Sequence, residues 1–328
     1  MPREKRSWVS QEIGCYHLIS RTARDNIKFT NREKEYFLTL LKCFSKGFFV
    51  DIHAFCIMGT HFHILATGLE NEAEAADDKE LLQRYKSIYG KKAEPPTGSF
   101  KSYGEFVVDE DYGISRLRKR LGSVSRFVQE LKQTFSLWYN KQHSRKGYLW
   151  NDRFKGIIIE NGDAQLSCSA YIDLNPVRAG IVKLPENYRW SSIGLMARDK
   201  NTSKDFLNLD FYSIFKNSDH LPDDQNTFAN NKTELLRRYK MFVYLSGGVD
   251  KQNKGKIDQE VVDEVMNCHG RMGIGNSFCY RVRNMSEGIA IGTEGFIADI
   301  QQKLGRKFIK PRRFTKGNRF FTTRVLRI

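Results

Sequence analysis

Two apolar runs, residues 48–57 and 61–67, are separated by little more than the Gly59–Thr60 break. They read as two strands joined by a turn. Before them, GCYHLIS over 14–20 reads as another strand. Residues 31–46 then carry Phe37, Leu40, Leu41 and Phe44 at the spacing of an amphipathic helix. After them come a long helix over 122–142, a short strand pair across 148–159 and a helix opening at Asp163, a plausible N-cap. Pro176 stops that last helix, because the residue before a proline is pushed out of the helical region; Asn175 therefore falls at the helix end. This order predicts an antiparallel sheet with helices packed on it, an α+β domain over residues 1–197 that closes near residue 195.

The rest of the chain reads differently. Residues 68–120 form an insertion: acidic ENEAEAADDKE with a helix near 78–89, a KKAEPPTGS linker, then SRLRKR as a mobile basic arm. Residues 198–232 are polar and Asn/Asp-rich, a linker or surface segment. A mainly helical accessory region follows over 233–328, ending in a basic tail with no acidic residue after Asp299. There is no internal repeat.

Charge narrows the partner. Fifty-four Lys and Arg against thirty-eight Asp and Glu give +16, and a polyanion such as nucleic acid is the natural partner of such a surface. The six cysteines are scattered with no CxxC pair, which reads as reduced thiols in a cytosolic protein. No apolar stretch is long enough for a signal peptide or membrane span, so a soluble, cytoplasmic, nucleoid-associated protein is expected.

The chemistry begins at His61-Phe62-His63. Residues two apart on a strand share a face, so both imidazoles project one way and Phe62 points into the opposite layer. Their backbone separation of roughly 6.5–7 Å lets both rings converge on one cation. Two histidines leave coordination positions open, as catalysis requires, although a lone pair of this kind is more often two unrelated side chains. Tyr171 and Asn175 lie four apart on the 163–175 helix, on one face. A tyrosine hydroxyl is a poor nucleophile unless its target phosphate is polarised, for instance by a metal. The Asn175 amide oxygen could complete the metal shell; core packing for Tyr171 and capping for Asn175 are the competing readings. Candidate phosphate contacts are Arg21, Arg116, Arg118, Arg120, Arg126, Lys132, Arg145, Arg153 and Arg178, since the guanidinium fork binds two phosphate oxygens at once. Interleaved aromatics such as Tyr148 and Trp150 offer faces for unpaired bases.

At these residues the chain resembles the HUH single-tyrosine transposases, named for two histidines flanking a hydrophobic residue. MGTHFHILATG resembles their histidine block and YIDLNPVRAGIV the block that carries their tyrosine. GCYHLISRTARDNIKF, GYLWNDRFKGIIIE and YRWSS are similar to further blocks in the same order, over about residues 13–195. The layout most resembles the REP-associated tyrosine transposases, which act on palindromic, hairpin-forming repeats. Gly59-Thr60 departs from the usual Pro-Asn before the histidines. The resemblance implies a ferredoxin-like α+β fold, a Mg²⁺ or Mn²⁺ cofactor and single-stranded DNA as substrate. It also implies His61 and His63 as metal ligands, Tyr171 as nucleophile, Asn175 as a third polar ligand, and in some members a homodimer. Two other readings stay open: a non-catalytic DNA- or RNA-binding regulator, and an RNA-processing nuclease of similar fold.

Overall fold

The structure, a computed structural model, describes residues 14–23, 27–91, 98–100, 106–108, 110–198, 206–210, 232–248, 255–263, 285, 288–305, 312–313 and 321–323. The first half runs β1 (Gly14–Arg21), α1 (Asn31–Gly47), β2 (Val50–Ile57), β3 (His61–Gly68), α2 (Glu70–Ala75), α3 (Asp78–Tyr89), β4 (Gly98–Phe100), β5 (Phe106–Val108), α4 (Glu110–Leu121) and α5 (Val124–Gln142). It continues with β6 (Lys155–Glu160), α6 (Asp163–Asp173), α7 (Asn175–Arg178), α8 (Ser192–Arg198), α9 (Lys232–Gly248), β7 (Ala290–Gly292), α10 (Glu294–Leu304), β8 (Arg312–Arg313) and β9 (Phe321–Thr323). Among the described residues the main sheet is mixed, in the order β2-β3-β1-β6-β7-β9-β8, and β4 and β5 pair separately. No described helix is long and apolar enough to cross a membrane.

The first four strands of that order are antiparallel neighbours. Register decides which layer each side chain enters. His63 lies opposite Ile19, His61 opposite Arg21 and Leu65 opposite His17, so these six share one face. Phe62 points the other way, its ring centroid 5.0 Å from that of Phe37 on α1. The opposite layer is therefore built from α1 and α5, with Phe62, Phe37 and Phe135 in its core. The histidine face is covered by α6, whose Ala164, Cys168 and Ile172 pack on Cys15, Leu65, Ile157 and Ile159.

Helix α6 is unusual in burying residues on nearly all sides. Its run Ser167-Cys168-Ser169-Ala170 is short enough in side chain to be sandwiched. On its outer side the α9 residue Gly247 approaches so closely that an added Cβ would lie 2.8 Å from Leu174. Asp163, expected as N-cap, stands in the first turn instead. The cap is Gly162 at φ 87°, a left-handed conformation that glycine adopts without steric cost.

Two expectations are corrected, and a third, the mainly helical C-terminal region, holds with short strands added. The SRLRKR stretch is not a mobile arm: it forms the last turns of α4, with Leu117 and Leu121 buried in the core. Of the strand pair across 148–159 only Lys155–Glu160 is a strand, while Trp150 makes an isolated bridge to Thr22. The C-terminal region is helical in α9 and α10 but also supplies strands to the main sheet. Ala290 and Ile291 pair in parallel with Ile158 and Ile159. The physical reason lies in β6, since an unbroken GIII run is apolar on both faces and ill suited to an open edge. Within 198–232, Leu207 bridges Ile52, and Asn208 Nδ2 donates to Asp51 Oδ2 at 2.6 Å, so that short piece packs on β2. The 92–97 linker and most of the basic tail lie outside the described residues.

Candidate active site

The site sits where β3, β1 and α6 meet. His61 and His63 project from one face of β3 with ring centroids 5.1 Å apart and planes nearly perpendicular. Burial, with the Arg21 charge adding to it, lowers the pKa of His61 to about 4. Burial likewise holds His63 well below the ordinary imidazole range, helped by its two histidine neighbours and Arg21. Both rings are therefore neutral at pH 7, the form that offers a lone pair to a metal. Thr60, in the turn before the histidine pair, places Oγ1 3.1 Å from His61 Nδ1. There it can accept from that nitrogen's proton and leave Nε2 as the bare donor.

Tyr171 reaches His63 from α6. Positions 164, 168, 171 and 175 form one helical stripe, and the first two anchor it in the core. The Tyr171 ring lies edge-on to His63 and to His17, each at 5.9 Å between centroids. The Arg178 guanidinium carbon stands 5.2 Å from the Tyr171 ring centroid, which puts a fixed positive charge beside the phenol. Asn175 Nδ2 donates to the Tyr171 and Ile172 carbonyls at 2.9 and 3.3 Å, capping the end of α6. That orientation leaves its Oδ1 as the atom available to a ligand.

His17 is the residue that sequence reasoning missed. It is fully buried on β1, and its ring neighbours both His63 and Tyr171. Its signal was present in the sequence, as a single imidazole in an otherwise apolar GCYHLIS strand. Burial lowers its pKa to about 4, with nearby Lys155 adding to the effect. The sign follows: a histidine held neutral in the fold contributes stability above its unfolded pKa of ~6.5 that is lost as pH falls toward 4. For His17 alone that is on the order of 3 kcal/mol. The metal-free protein should lose stability steeply between pH 6.5 and 4 in urea titrations, and His17→Gln should flatten that limb. An unchanged limb would sink the assignment.

The basic candidates divide by position. Arg21 faces His61 across the strand pair, and Arg178 borders Tyr171. The loop carrying Arg153 is hydrogen-bonded along the same end of β1, through Ala23 N to Leu149 O (2.8 Å) and Asn151 N to Arg21 O (3.0 Å). Arg145 secures that loop by bonds to Asn140 Oδ1 and Tyr148 O, and Tyr148 itself is 89% exposed. The others serve elsewhere. Lys132 is buried and donates to Asp152 O at 2.9 Å. Arg118 donates to the Ala73, Glu74 and Ala76 carbonyls at the end of α2. Arg120 forms a two-point pair with Glu130 at 2.8 and 2.9 Å. Arg116 and Arg126 line a recess of about 500 Å³ on α4 and α5, in the layer across the sheet from Tyr171.

Among the described residues no three His, Cys, Asp or Glu side chains gather around one point. A divalent cation here would be held by the two neutral imidazoles and an uncharged oxygen such as Asn175 Oδ1, with positions left for water and phosphate. Two imidazole nitrogens favour a transition-metal dication, and the oxygen ligands of water and phosphate in the remaining positions are those that Mn²⁺ and Mg²⁺ accept.

Comparison with known proteins gives a structural match. A solved structure described as a REP-associated tyrosine transposase bound to a REP hairpin aligns with 64% of this chain and 90% of that one. The aligned sequences are 13% identical and the TM-score is 0.38. No family model matches the chain, and no curated protein does.

Proposed function

We propose that this chain is a divalent-metal-dependent nuclease and strand transferase that attacks phosphodiesters with a tyrosine. More narrowly, we read it as a single-tyrosine transposase acting on single-stranded, hairpin-forming DNA, with the β6-β1-β3-β2 order of its first four strands read as ferredoxin-like. The observation that carries this is the neutral histidine pair of β3, its rings 5.1 Å apart, with His63 5.9 Å from the ring of Tyr171 on α6. Tyr171 is the nucleophile, and His61, His63 and Asn175 are the ligands. When bound, the cation would polarise the scissile phosphate and offset its negative charge. Arg21 and Arg178 flank the position of that phosphate. The Tyr171 oxygen forms a bond to phosphorus as the bond to the 3′ oxygen breaks. A 5′-phosphotyrosine remains on the protein and a free 3′-OH leaves. A second 3′-OH can reverse the step and join strands without ATP.

Incubation with labelled single-stranded hairpin DNA and Mn²⁺ is expected to give a denaturation-resistant, protein-linked band that EDTA abolishes. The +16 chain should hold the hairpin mostly through phosphates, so affinity should drop steeply between 50 and 200 mM salt, by as much as ~10³-fold. Binding without any adduct would favour a non-catalytic regulator, and cleavage of RNA hairpins alone would favour RNA processing.

A further inference from the structure

The site contains a third histidine whose two ring nitrogens are both engaged. His17 Nδ1 lies 2.5 Å from the Met285 carbonyl oxygen, and its Nε2 lies 2.9 Å from His63 Nδ1. These contacts leave no freedom in where the protons sit. A carbonyl oxygen only accepts, so His17 Nδ1 carries a hydrogen and donates it. A neutral imidazole has a single N–H, so His17 Nε2 is a lone pair and must accept. The group across the 2.9 Å contact therefore donates, which places the proton of His63 on Nδ1. By the same rule His63 Nε2 is bare.

We propose that His17 is the positioning residue of the metal centre: it accepts the Nδ1 proton of His63 and so presents the His63 Nε2 lone pair to the cation. The inference rests on the reading of His63 as a metal ligand. Metal-ligating histidines are commonly oriented in this way by an acceptor on their second nitrogen, which fixes the tautomer and raises ligand basicity. Here the acceptor is another imidazole, itself oriented by a backbone carbonyl. The sheet register makes this possible, because His17 pairs with Leu65 and His63 with Ile19, so the two histidines are diagonal neighbours on one face. Their rings are 5.1 Å apart and tilted by 31°. His17 is not itself a ligand, since neither of its nitrogens is left over.

The relay also ties the site to the C-terminal region. Met285 lies 268 residues from His17 and buries its side chain in the core beneath α6, beside Ile157 and Ile159. The C-terminal third therefore supplies the carbonyl that sets the proton order of the catalytic face.

Long-range ¹H–¹⁵N spectra of the metal-free, full-length protein read each histidine tautomer directly. His63 is expected as the Nδ1–H form, and addition of Mg²⁺ should shift Nε2 of His63 while leaving both His17 nitrogens in place. His17→Leu should release His63 to the Nε2–H form and weaken Mn²⁺ binding, counted by electron paramagnetic resonance, by ~10- to 100-fold. His17→Gln keeps an acceptor oxygen and should recover most of that affinity, which a merely space-filling role would not predict. An Nε2–H tautomer of His63 in the wild type overturns the inference even if His17→Leu fails to fold. So does Mn²⁺ binding that His17→Leu leaves unchanged. Absence of any saturable Mn²⁺ site in the wild type overturns instead the ligand reading beneath it.

Discussion

Tyr171→Phe is expected to eliminate the covalent DNA adduct and lower nicking by ~10⁴-fold or more, because removing a nucleophile leaves only binding and electrostatics. Hairpin affinity should stay within about twofold of wild type, since phosphate contacts rather than the phenol hold the DNA. The geometry makes this a clean substitution. The ring is positioned edge-on to His17 and His63 and beneath Arg178, contacts that a phenyl ring keeps. Its helix is fixed independently by Ala164, Cys168 and Ile172 in the core. Loss of adduct with a thermal midpoint near wild type is the expected pair of results, measured by denaturing gel and calorimetry. A Tyr171→Phe variant that still nicks at the wild-type rate would remove Tyr171 from the chemistry and leave the histidine pair without a partner.

The elements of this site were legible because each is written in local pattern. The alternation that puts Phe62 in one layer and His61 with His63 in the other is a two-residue period. The stripe of Tyr171 and Asn175 is one helical turn, and Pro176 marks its end. What was not legible depends on partners far away in sequence. His17 becomes meaningful only once β1 pairs with β3 and Met285 closes against it. Arg118 is indistinguishable from its basic neighbours until the carbonyls of α2 stand before it, and Lys132 until the 148–153 loop folds over α5. The strand at Ala290–Gly292 is too short to announce itself, and it is recruited by the apolar edge of β6. The basic stretch of α4 shows the same limit in reverse, since charge alone suggested an arm where buried Leu117 and Leu121 hold a helix.

The largest stability effect is expected two residues beyond Tyr171. Asp173 is fully buried at the end of α6, and its carboxylate joins three elements. Oδ1 accepts from Ser192 Oγ at 2.6 Å and from the Ile193 backbone N–H at 3.0 Å, at the start of α8. Oδ2 accepts from Tyr239 Oη at 2.5 Å, on α9. Burial raises the Asp173 pKa to about 6, and the three donors pull the other way. Asp173→Ala would remove the shared acceptor of three buried donors, Ser192 Oγ keeping only the longer contact to the Phe55 carbonyl at 3.3 Å, at a cost of about 3–5 kcal/mol. A protein stable by about 5–15 kcal/mol is left marginal by such a loss. Asp173→Asn is expected to cost only about 1 kcal/mol. Its Oδ1 keeps Ser192 and Ile193, and its amide can donate to the Tyr239 hydroxyl, which then accepts. Urea titrations of the two variants should therefore separate widely, and the Asn variant should still form the Tyr171 adduct. Equal midpoints for Asp173→Ala and wild type would mean that α8 and α9 hold α6 by packing alone. The separation matters for function because Asp173 is the tie by which α8 and α9 hold the C-terminal end of α6, the helix that carries Tyr171.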